Sequence, residues 1–243
     1  MHARRPFSPA LVAAALLLAC QPVGLRADPY LGADVPNVVR LLPAPPAVGS
    51  PEQQADLDEA ARIYAARTPA QVALGTSQLE LTIFSFAPVL GDSFQPGRYP
   101  RIEALFAQVA TETSAALAPG KKLWNRPRPF VADPARFPDT PFRETSASYP
   151  SGHATRGVVY ARLLTELFPA KRIALLELGD TVGWVRVQVG VHYPSDIDAG
   201  RTLGRALAAA FLRSPAFQKD LAAAKAELAS GGRSWLVRRP ATP

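Results

Sequence analysis

Three clusters of polar and charged residues in the second half of the chain could bind an oxyanion and react with it. They occupy Lys121–Pro129, Tyr149–His153 and the stretch from Gly183 to Asp196. Guanidinium groups match phosphate oxygens in bidentate fashion, and a lysine adds a point charge. Because two histidines accompany these cations, the clusters predict phosphoryl chemistry rather than simple anion binding.

The second cluster contains a turn that favours anion binding. Pro150, Ser151 and Gly152 precede a helical run. The first backbone N–H groups of a helix lack intrahelical partners and can hold an anion, and glycine allows its close approach. We therefore expect the backbone of Ser151 and Gly152 to contact the oxyanion.

The third cluster places a carboxylate near a histidine. Asp196 follows His192 by four residues, and a carboxylate at this spacing can hold the Nδ1–H and leave Nε2 as a nucleophile or base. Pro194 disfavours one unbroken helix through both residues. We expect His192 at a helix end and Asp196 in the first turn of the next helix, with Ser195 as its N-cap.

Each cluster alone is ordinary, since basic loops are usually solvated and Pro-Ser-Gly is a frequent turn. Their order and spacing are more specific. The chain contains Lys-x6-Arg-Pro, then Pro-Ser-Gly-His, then Arg-x5-His-x3-Asp, and it resembles the phosphatidic acid phosphatase type 2 superfamily. Within that superfamily it is similar to the bacterial class A non-specific acid phosphatases. The matching residues are Lys121, Arg128, Pro129, Pro150, Ser151, Gly152, His153, Arg186, His192 and Asp196.

The resemblance implies a fold and a set of roles. The fold would be an all-α, single-domain helical bundle of the acid phosphatase/vanadium haloperoxidase type. His192 would attack phosphorus and form a phosphohistidine, Asp196 would orient His192, and His153 would protonate the leaving alcohol and then activate water. No cofactor or metal ion is implied, because phosphoryl transfer mainly requires positioning and charge stabilisation. The phosphoryl oxygens would be bound by Lys121, Arg128, Arg186 and the Ser151–Gly152 backbone.

Two positions depart from the family pattern or leave it ambiguous. Val185 stands where the family usually has a serine before the arginine, so we expect weaker oxyanion binding and reduced activity. Arg126 precedes a proline as Arg128 does, but only Arg128 has the family spacing from Lys121. Arg126 is therefore a secondary candidate for the phosphate site.

Two other functions are compatible with the same motifs. A vanadium haloperoxidase would hold vanadate on a histidine of the same scaffold, and a surface lipoprotein could bind anions without catalysis. The favoured prediction is an acid phosphatase that acts on small phosphomonoesters, with a rate maximum near roughly pH 5–6.5 because His153 must be protonated while His192 is neutral.

The elements that must position these residues are predicted to be helices. Apolar residues recur at helical spacing, no alternating strand pattern is present, and proline or glycine marks the boundaries. We predict one helical domain over 51–243, with an ordered loop over 120–150. The expected helices are 51–67, a second from 69 that carries Leu79 to Phe86, a third from 100 to a stop at Pro119-Gly120, and 152–167, 170–190, 195–212 and 215–230.

The N-terminus predicts export. A basic start and an apolar run too short for a stable span are typical of a signal peptide over residues 1–27, and Leu17 to Cys20 also resembles a lipobox that would place a lipid anchor on Cys20. Residues 28–50 are rich in proline and predict an extended arm or linker. The protein would then be periplasmic or secreted, or a membrane-anchored lipoprotein, without a membrane span.

Composition excludes several classes of function. The 243 residues are 48% hydrophobic and 19% charged, as in globular proteins. One cysteine excludes a disulfide framework, and three histidines leave little for a histidine metal cage. Removing residues 1–27 takes away three of 27 basic residues and none of 20 acidic ones, leaving a net charge of +4. This excess and the lack of a basic run do not suggest nucleic-acid binding. The oligomeric state stays open.

Overall fold

The computed structural model describes residues 28–231, and every regular element in that range is a helix. The all-α fold predicted from the sequence is thus confirmed. The predicted signal peptide and Cys20 lie outside the described residues. The α-helices are α1 (Val38–Leu41), α2 (Pro51–Ala65), α3 (Pro69–Ser77), α4 (Ala87–Leu90), α5 (Pro100–Trp124), α6 (Pro129–Ala132), α7 (Gly152–Leu167), α8 (Arg172–Gln188), α9 (Pro194–Arg213) and α10 (Pro215–Ala229), with short 3₁₀ helices at Gly32–Asp34, Ile83–Phe86 and Pro169–Lys171.

Helix α7 is the centre of the fold and packs along both α8 and α9. Glycines allow the backbones to approach closely. A Cβ atom on Gly179 would lie 2.7 Å from the carbonyl oxygen of Gly157, and one on Gly200 would lie 2.6 Å from that of Ser151. Side chains at these positions would separate the helices, so glycine is what brings together the helices that carry the second and third sequence clusters.

Helix starts follow the predicted pattern of a capping side chain before proline. The hydroxyl of Ser50 accepts a hydrogen bond from the Gln53 N–H at 3.1 Å, with Pro51 at the first helical position. Such a cap satisfies one of the otherwise unpaired N–H groups at a helix start. Helix α7 also has the predicted bounds, because the Ser151 hydroxyl accepts from the Ala154 N–H at its start.

The prediction of one helix from residue 69 through Phe86 is wrong. Helix α3 ends at Ser77, Gln78 is its C-cap, and the apolar residues after it form a 3₁₀ turn. The apolar spacing is consistent with either arrangement locally. Tertiary packing decides, because Ile83 and Phe86 enter the main core while Leu79 is exposed.

The prediction that Pro119-Gly120 ends the third helix is also wrong. Helix α5 continues to Trp124 and ends at Asn125, which has a positive φ of 38°. A proline removes one backbone hydrogen bond, but burial along the same face continues. Gly120 is buried, and a Cβ atom there would lie 2.8 Å from the Trp124 ring, so this glycine gives close packing and does not end the helix. The predicted loop over 120–150 therefore begins at Asn125 and includes the short helix α6.

The predicted arm over residues 28–50 packs onto the bundle. The backbone N–H groups of Tyr30 and Leu31 donate to Glu112 on α5, each at 2.8 Å, and the Tyr30 hydroxyl donates to Asp220 on α10 at 2.8 Å. Val38 and Leu42 are buried. The arm is therefore held to α5 and α10 by buried apolar residues and charged acceptors.

The helices between residues 28 and 231 were also compared with the length and hydropathy of membrane spans. None of them is long and apolar enough to cross a membrane.

Candidate active site

The predicted site residues surround one cavity of about 490 Å³ between α5, α7 and the loop that precedes α7. The structure brings Lys121, Arg128, Gly152, His153 and His192 to its wall, as the three sequence clusters predicted. The lining includes two more charged residues that the motifs did not indicate, Glu144 and Arg156.

His192 lies just before α9, with one ring nitrogen towards Asp196 and the other towards the cations. Its Nδ1 is 3.0 Å from Asp196 Oδ2, so Nδ1–H donates to the carboxylate. Its Nε2 is 3.2 Å from Nη1 of Arg128. Burial lowers the pKa of His192 to about 3. The ring is therefore neutral at mildly acid pH, with the Nε2 lone pair on the cavity side.

Asp196 is held in the first turn of α9 by several donors. The Ser148 hydroxyl donates to Oδ2, and the Tyr193 N–H donates to the same oxygen at 3.0 Å. Burial alone would raise the pKa of Asp196, but the hydrogen bond from His192, its charge and that of Arg126 lower the pKa to about 2. The N-cap of α9 is Tyr193, so the prediction of Ser195 at that position is wrong. The capping acceptor is the side chain of Asp196, which bonds back to the Tyr193 N–H.

Arg126, the secondary candidate for phosphate binding, lies behind Asp196 and does not line the cavity. Its Nη1 donates to Asp196 Oδ1 at 2.7 Å, and its Nη2 donates to Asp56 on α2 at 2.7 Å. Its guanidinium also stacks 3.7 Å from the centroid of the Tyr193 ring. Since the charge of Arg126 is paired with these two carboxylates, it fixes the position of Asp196.

Lys121 and Arg128 are close to His192 and strongly desolvated. Lys121 Nζ donates to the Ala147 carbonyl at 2.5 Å, and burial, followed by the charge of Arg128, lowers the pKa of Lys121 to about 8. Arg128 donates to the Val191 carbonyl at 2.9 Å. Buried cations at this separation favour an anion between them.

Glu144 occupies part of that positive region. Its Oε2 is 2.6 Å from Nη2 of Arg128, and its Oε1 is 3.0 Å from Nη2 of Arg186. Burial raises the pKa of Glu144, but the charges of Arg128, His192 and Arg186 outweigh it and lower the pKa. Arg186 is 0% exposed and does not line the cavity itself, whereas the Glu144 side chain is 32% exposed. Arg186 therefore meets the cavity through the Glu144 carboxylate.

His153 is on the first turn of α7, where its Nε2 is 3.1 Å from the Gln78 carbonyl. Burial, followed by the charge of Arg186, lowers the pKa of His153 to about 4, although Glu144 acts in the opposite direction. At pH 5–6.5 His153 is therefore neutral when no substrate is bound. This differs from the protonated His153 that the sequence predicted, because desolvation and nearby cations were not visible in the sequence.

The serine positions of the motifs differ in their access to the cavity. Gly152 lines it, at the N-terminus of α7, but Ser151 does not. The Ser151 N–H donates to the Asp196 carbonyl at 3.0 Å, so this group is already paired. Val185 is fully buried, near Gly75 of α3, and does not line the cavity.

Several site residues escaped the sequence reasoning. Ser148, Glu144 and Asp56 belong to no spaced motif, and their roles depend on which helices meet. The one available signal was the acidic and hydroxyl-rich stretch directly before Tyr149. Polar residues in a loop between two motif clusters are candidates for contacts with both.

Comparisons with known proteins agree with this site. A sequence profile of the PAP2 superfamily matches residues 102–220. A non-specific acid phosphatase of Salmonella typhimurium is 31% identical over 195 residues, which cover 77% of this chain and 78% of the relative. An acid phosphatase of Zymomonas mobilis is 29% identical over 194 residues, covering 77% and 74% of the two chains.

These matches extend beyond the motif clusters to most of the helical domain. The chain belongs to the PAP2 superfamily. Within it, the chain groups with the non-specific acid phosphatases, and it is an enzyme of the phosphatase class.

A crystal structure was also matched, that of a transmembrane PAP2-type phosphatidylglycerolphosphate phosphatase from Bacillus subtilis. The match has a TM-score of 0.49 and 22% sequence identity, and it covers 68% of this chain and 87% of that chain.

Proposed function

We propose that the protein is an exported acid phosphatase that hydrolyses small phosphomonoesters through a phosphohistidine on His192. The observation that carries the proposal is the orientation of the His192 ring. Asp196 takes the Nδ1–H at 3.0 Å, and Nε2 is directed to the cations that line the cavity. A neutral imidazole with its free lone pair beside a phosphate-binding cluster is a nucleophile ready for use.

The first step transfers the phosphoryl group to the protein. The Nε2 lone pair of His192 attacks phosphorus, and the bond from phosphorus to the ester oxygen breaks. His153 gives its proton to that oxygen, which leaves as an alcohol. Lys121, Arg128 and Arg186 stabilise the charge on the phosphoryl oxygens, as electrostatic catalysis of phosphoryl transfer requires.

The second step releases inorganic phosphate. Water gives a proton to His153 and attacks phosphorus, and the bond to Nε2 breaks. His192 returns to its neutral form, still held by Asp196. Because Nε2 of His153 is close to the Gln78 carbonyl, we assign the exchanged proton to Nδ1 of His153.

Glu144 must give way to substrate in this scheme. Its two oxygens hold Arg128 and Arg186 in the free protein, at 2.6 Å and 3.0 Å. A phosphoryl group needs the same N–H donors. Its side chain is partly exposed and belongs to a loop, so it can turn to solvent without a change in the helices.

The nucleophile is tested by trapping the phosphoenzyme. Acid quenching of wild type with a ³²P-labelled aryl phosphate should yield an acid-labile, alkali-stable label on His192, and His192→Ala should show neither label nor turnover. Activity of His192→Ala above about one percent of wild type would exclude this role. His153→Asn should spare aryl esters, whose leaving groups need little protonation, and lose activity on alkyl esters.

Two further assays compare the proposal with the alternatives from the sequence. Competitive inhibition by vanadate is expected, since vanadate would occupy the Lys121 and Arg128 cations; oxidation of halide by peroxide with vanadate would instead indicate a haloperoxidase. A protein that binds phosphate without turnover would be an anion-binding protein.

Metal independence is tested by dialysis against EDTA. Within residues 28–231 no group of three His, Cys, Asp or Glu side chains is placed to hold a metal ion. The rate should be unchanged, and a loss restored by Mg²⁺ or Zn²⁺ would contradict the assignment of charge stabilisation to the cations.

Export is proposed from the N-terminal sequence and is tested by cell fractionation with mass spectrometry of the mature protein. Cleavage after Ala27 would leave Asp28 as the first residue, and a lipoprotein would begin at an acylated Cys20. An unprocessed N-terminus in the cytoplasmic fraction would contradict export.

A further inference from the structure

Arg156 is a cation in the active-site cavity that the phosphatase reaction leaves unused. It is on α7, one turn after His153, and lines the same cavity as Lys121 and Arg128. Within residues 28–231 its guanidinium makes no hydrogen bond or ion pair, and its Nε is buried without a partner. A desolvated guanidinium without a partner is costly, which calls for a ligand.

The charge of Arg156 acts on the groups that carry the reaction. It lowers the pKa of His153 and that of Lys121, in each case after larger effects headed by burial. Among the described residues, Glu144 is the one acidic side chain that lines the cavity. Both oxygens of Glu144 already bind Arg128 and Arg186, so Arg156 stays uncompensated when the cavity holds no anion.

The position of Arg156 relates it to the leaving group rather than to the transferred phosphoryl group. In the proposed function, on which this inference rests, the phosphoryl group lies at His192 and His153 protonates the departing oxygen. A residue three positions after His153 lies on the same face of a helix. Arg156 is thus next to the acid that contacts the leaving alcohol.

We infer that Arg156 forms a subsite for a second anionic group, carried by the leaving alcohol of the phosphomonoester. The preferred substrates are phosphate esters of alcohols that bear a carboxylate or a second phosphate. Arg143 is exposed at the rim of the same cavity and adds positive potential on the route into it. An arginine binds either of these groups through paired N–H donors.

The test compares two aryl phosphates that differ in charge and little else. 4-Carboxyphenyl phosphate and 4-carbamoylphenyl phosphate have nearly the same shape. Wild type should prefer the carboxylate by about tenfold in kcat/KM, the effect of one charge-assisted hydrogen bond. Arg156→Gln should bring this ratio close to one, and Arg156→Lys should keep part of it. A ratio taken at one pH cancels any change in the pKa of His153.

The possible results separate this inference from the proposed function. Equal ratios in wild type and Arg156→Gln would overturn the subsite, as would an equal loss on both substrates, which would make Arg156 a ligand of the phosphoryl group. Binding of the matched phosphonates, which are not hydrolysed, gives a second measurement independent of turnover. Equal affinity of wild type for both phosphonates would also overturn the subsite. If wild type binds the carboxylate phosphonate more tightly but hydrolyses neither ester, the proposed function fails while the subsite stands.

The second-phosphate arm uses an alkyl diphosphate ester pair. Propane-1,3-diol bisphosphate and its monophosphate are compared in the same two proteins. The same loss of preference in Arg156→Gln is expected. A preference for the carboxylate alone would limit the substrate class to phosphorylated acids.

Discussion

Replacing Glu144 by glutamine should make the enzyme bind phosphate more tightly. In the free protein the carboxylate holds both Arg128 and Arg186, at 2.6 Å and 3.0 Å. A phosphate group must therefore displace a charged competitor before it can reach these donors. The amide of Glu144→Gln carries no charge and competes poorly for two guanidinium groups.

The expected size of the effect follows from the two contacts that are broken. A hydrogen bond to a charged group contributes about 1.5–3 kcal/mol, so two of them give roughly 3–6 kcal/mol before solvation is considered. The Glu144 side chain is 32% exposed, and the displaced carboxylate regains water. We therefore expect a net change of about 1.4 kcal/mol, which is roughly a tenfold lower inhibition constant for inorganic phosphate.

The assay is competitive inhibition by phosphate and vanadate, measured for wild type, Glu144→Gln and a control. Glu177→Gln is the matched control, since Glu177 is an exposed carboxylate on α8, the helix that carries Arg186. It should leave both constants unchanged. Weaker binding of phosphate to Glu144→Gln would refute the reasoning, because Glu144 would then be needed to orient the arginines and would not compete with the substrate.

Three other predictions concern pH and stability. The pKa of His153 is about 4 in the free protein and should rise when a phosphate dianion binds, so the descending limb of kcat should lie at higher pH than that of kcat/KM; coincident limbs in stopped-flow and steady-state profiles would contradict this. Gly200→Ala should lower the melting temperature by several degrees, about 2–4 °C per kcal/mol, because its Cβ would meet the Ser151 carbonyl at 2.6 Å, and an unchanged melting temperature would show that the helices can separate. Asp56→Asn should remove an ionic partner of Arg126 and lower kcat with little effect on KM; a change in KM alone, from initial rates, would argue against a positioning role.

The helices could be predicted from the sequence where a capping side chain and a proline coincide. Ser50 with Pro51 and Ser151 with the run after it indicated the starts of α2 and α7 correctly. The continuation of α5 past Pro119 could not be predicted. Whether a proline ends a helix depends on the burial of the residues after it, and here Gly120 is packed against Trp124.

The residues around the cavity were partly predictable for a related reason. His192 and Asp196 are four positions apart, so local spacing alone brings them together. Glu144 acts through a loop that touches two helices, and no periodicity reports such a contact. Arg126 looked like a phosphate ligand because its charge was visible in the sequence, whereas the buried carboxylates that neutralise it, Asp56 and Asp196, come from distant segments.

The glycine contacts between α7, α8 and α9 have a consequence for laboratory evolution of the enzyme. Since the backbones of these helices touch at Gly157, Gly179 and Gly200, the geometry of the nucleophile does not depend on the loop before α7. Libraries that vary the loop residues around Glu144 can therefore explore new substrates while the reacting groups keep their places. Libraries that vary the glycines would mostly yield unfolded variants.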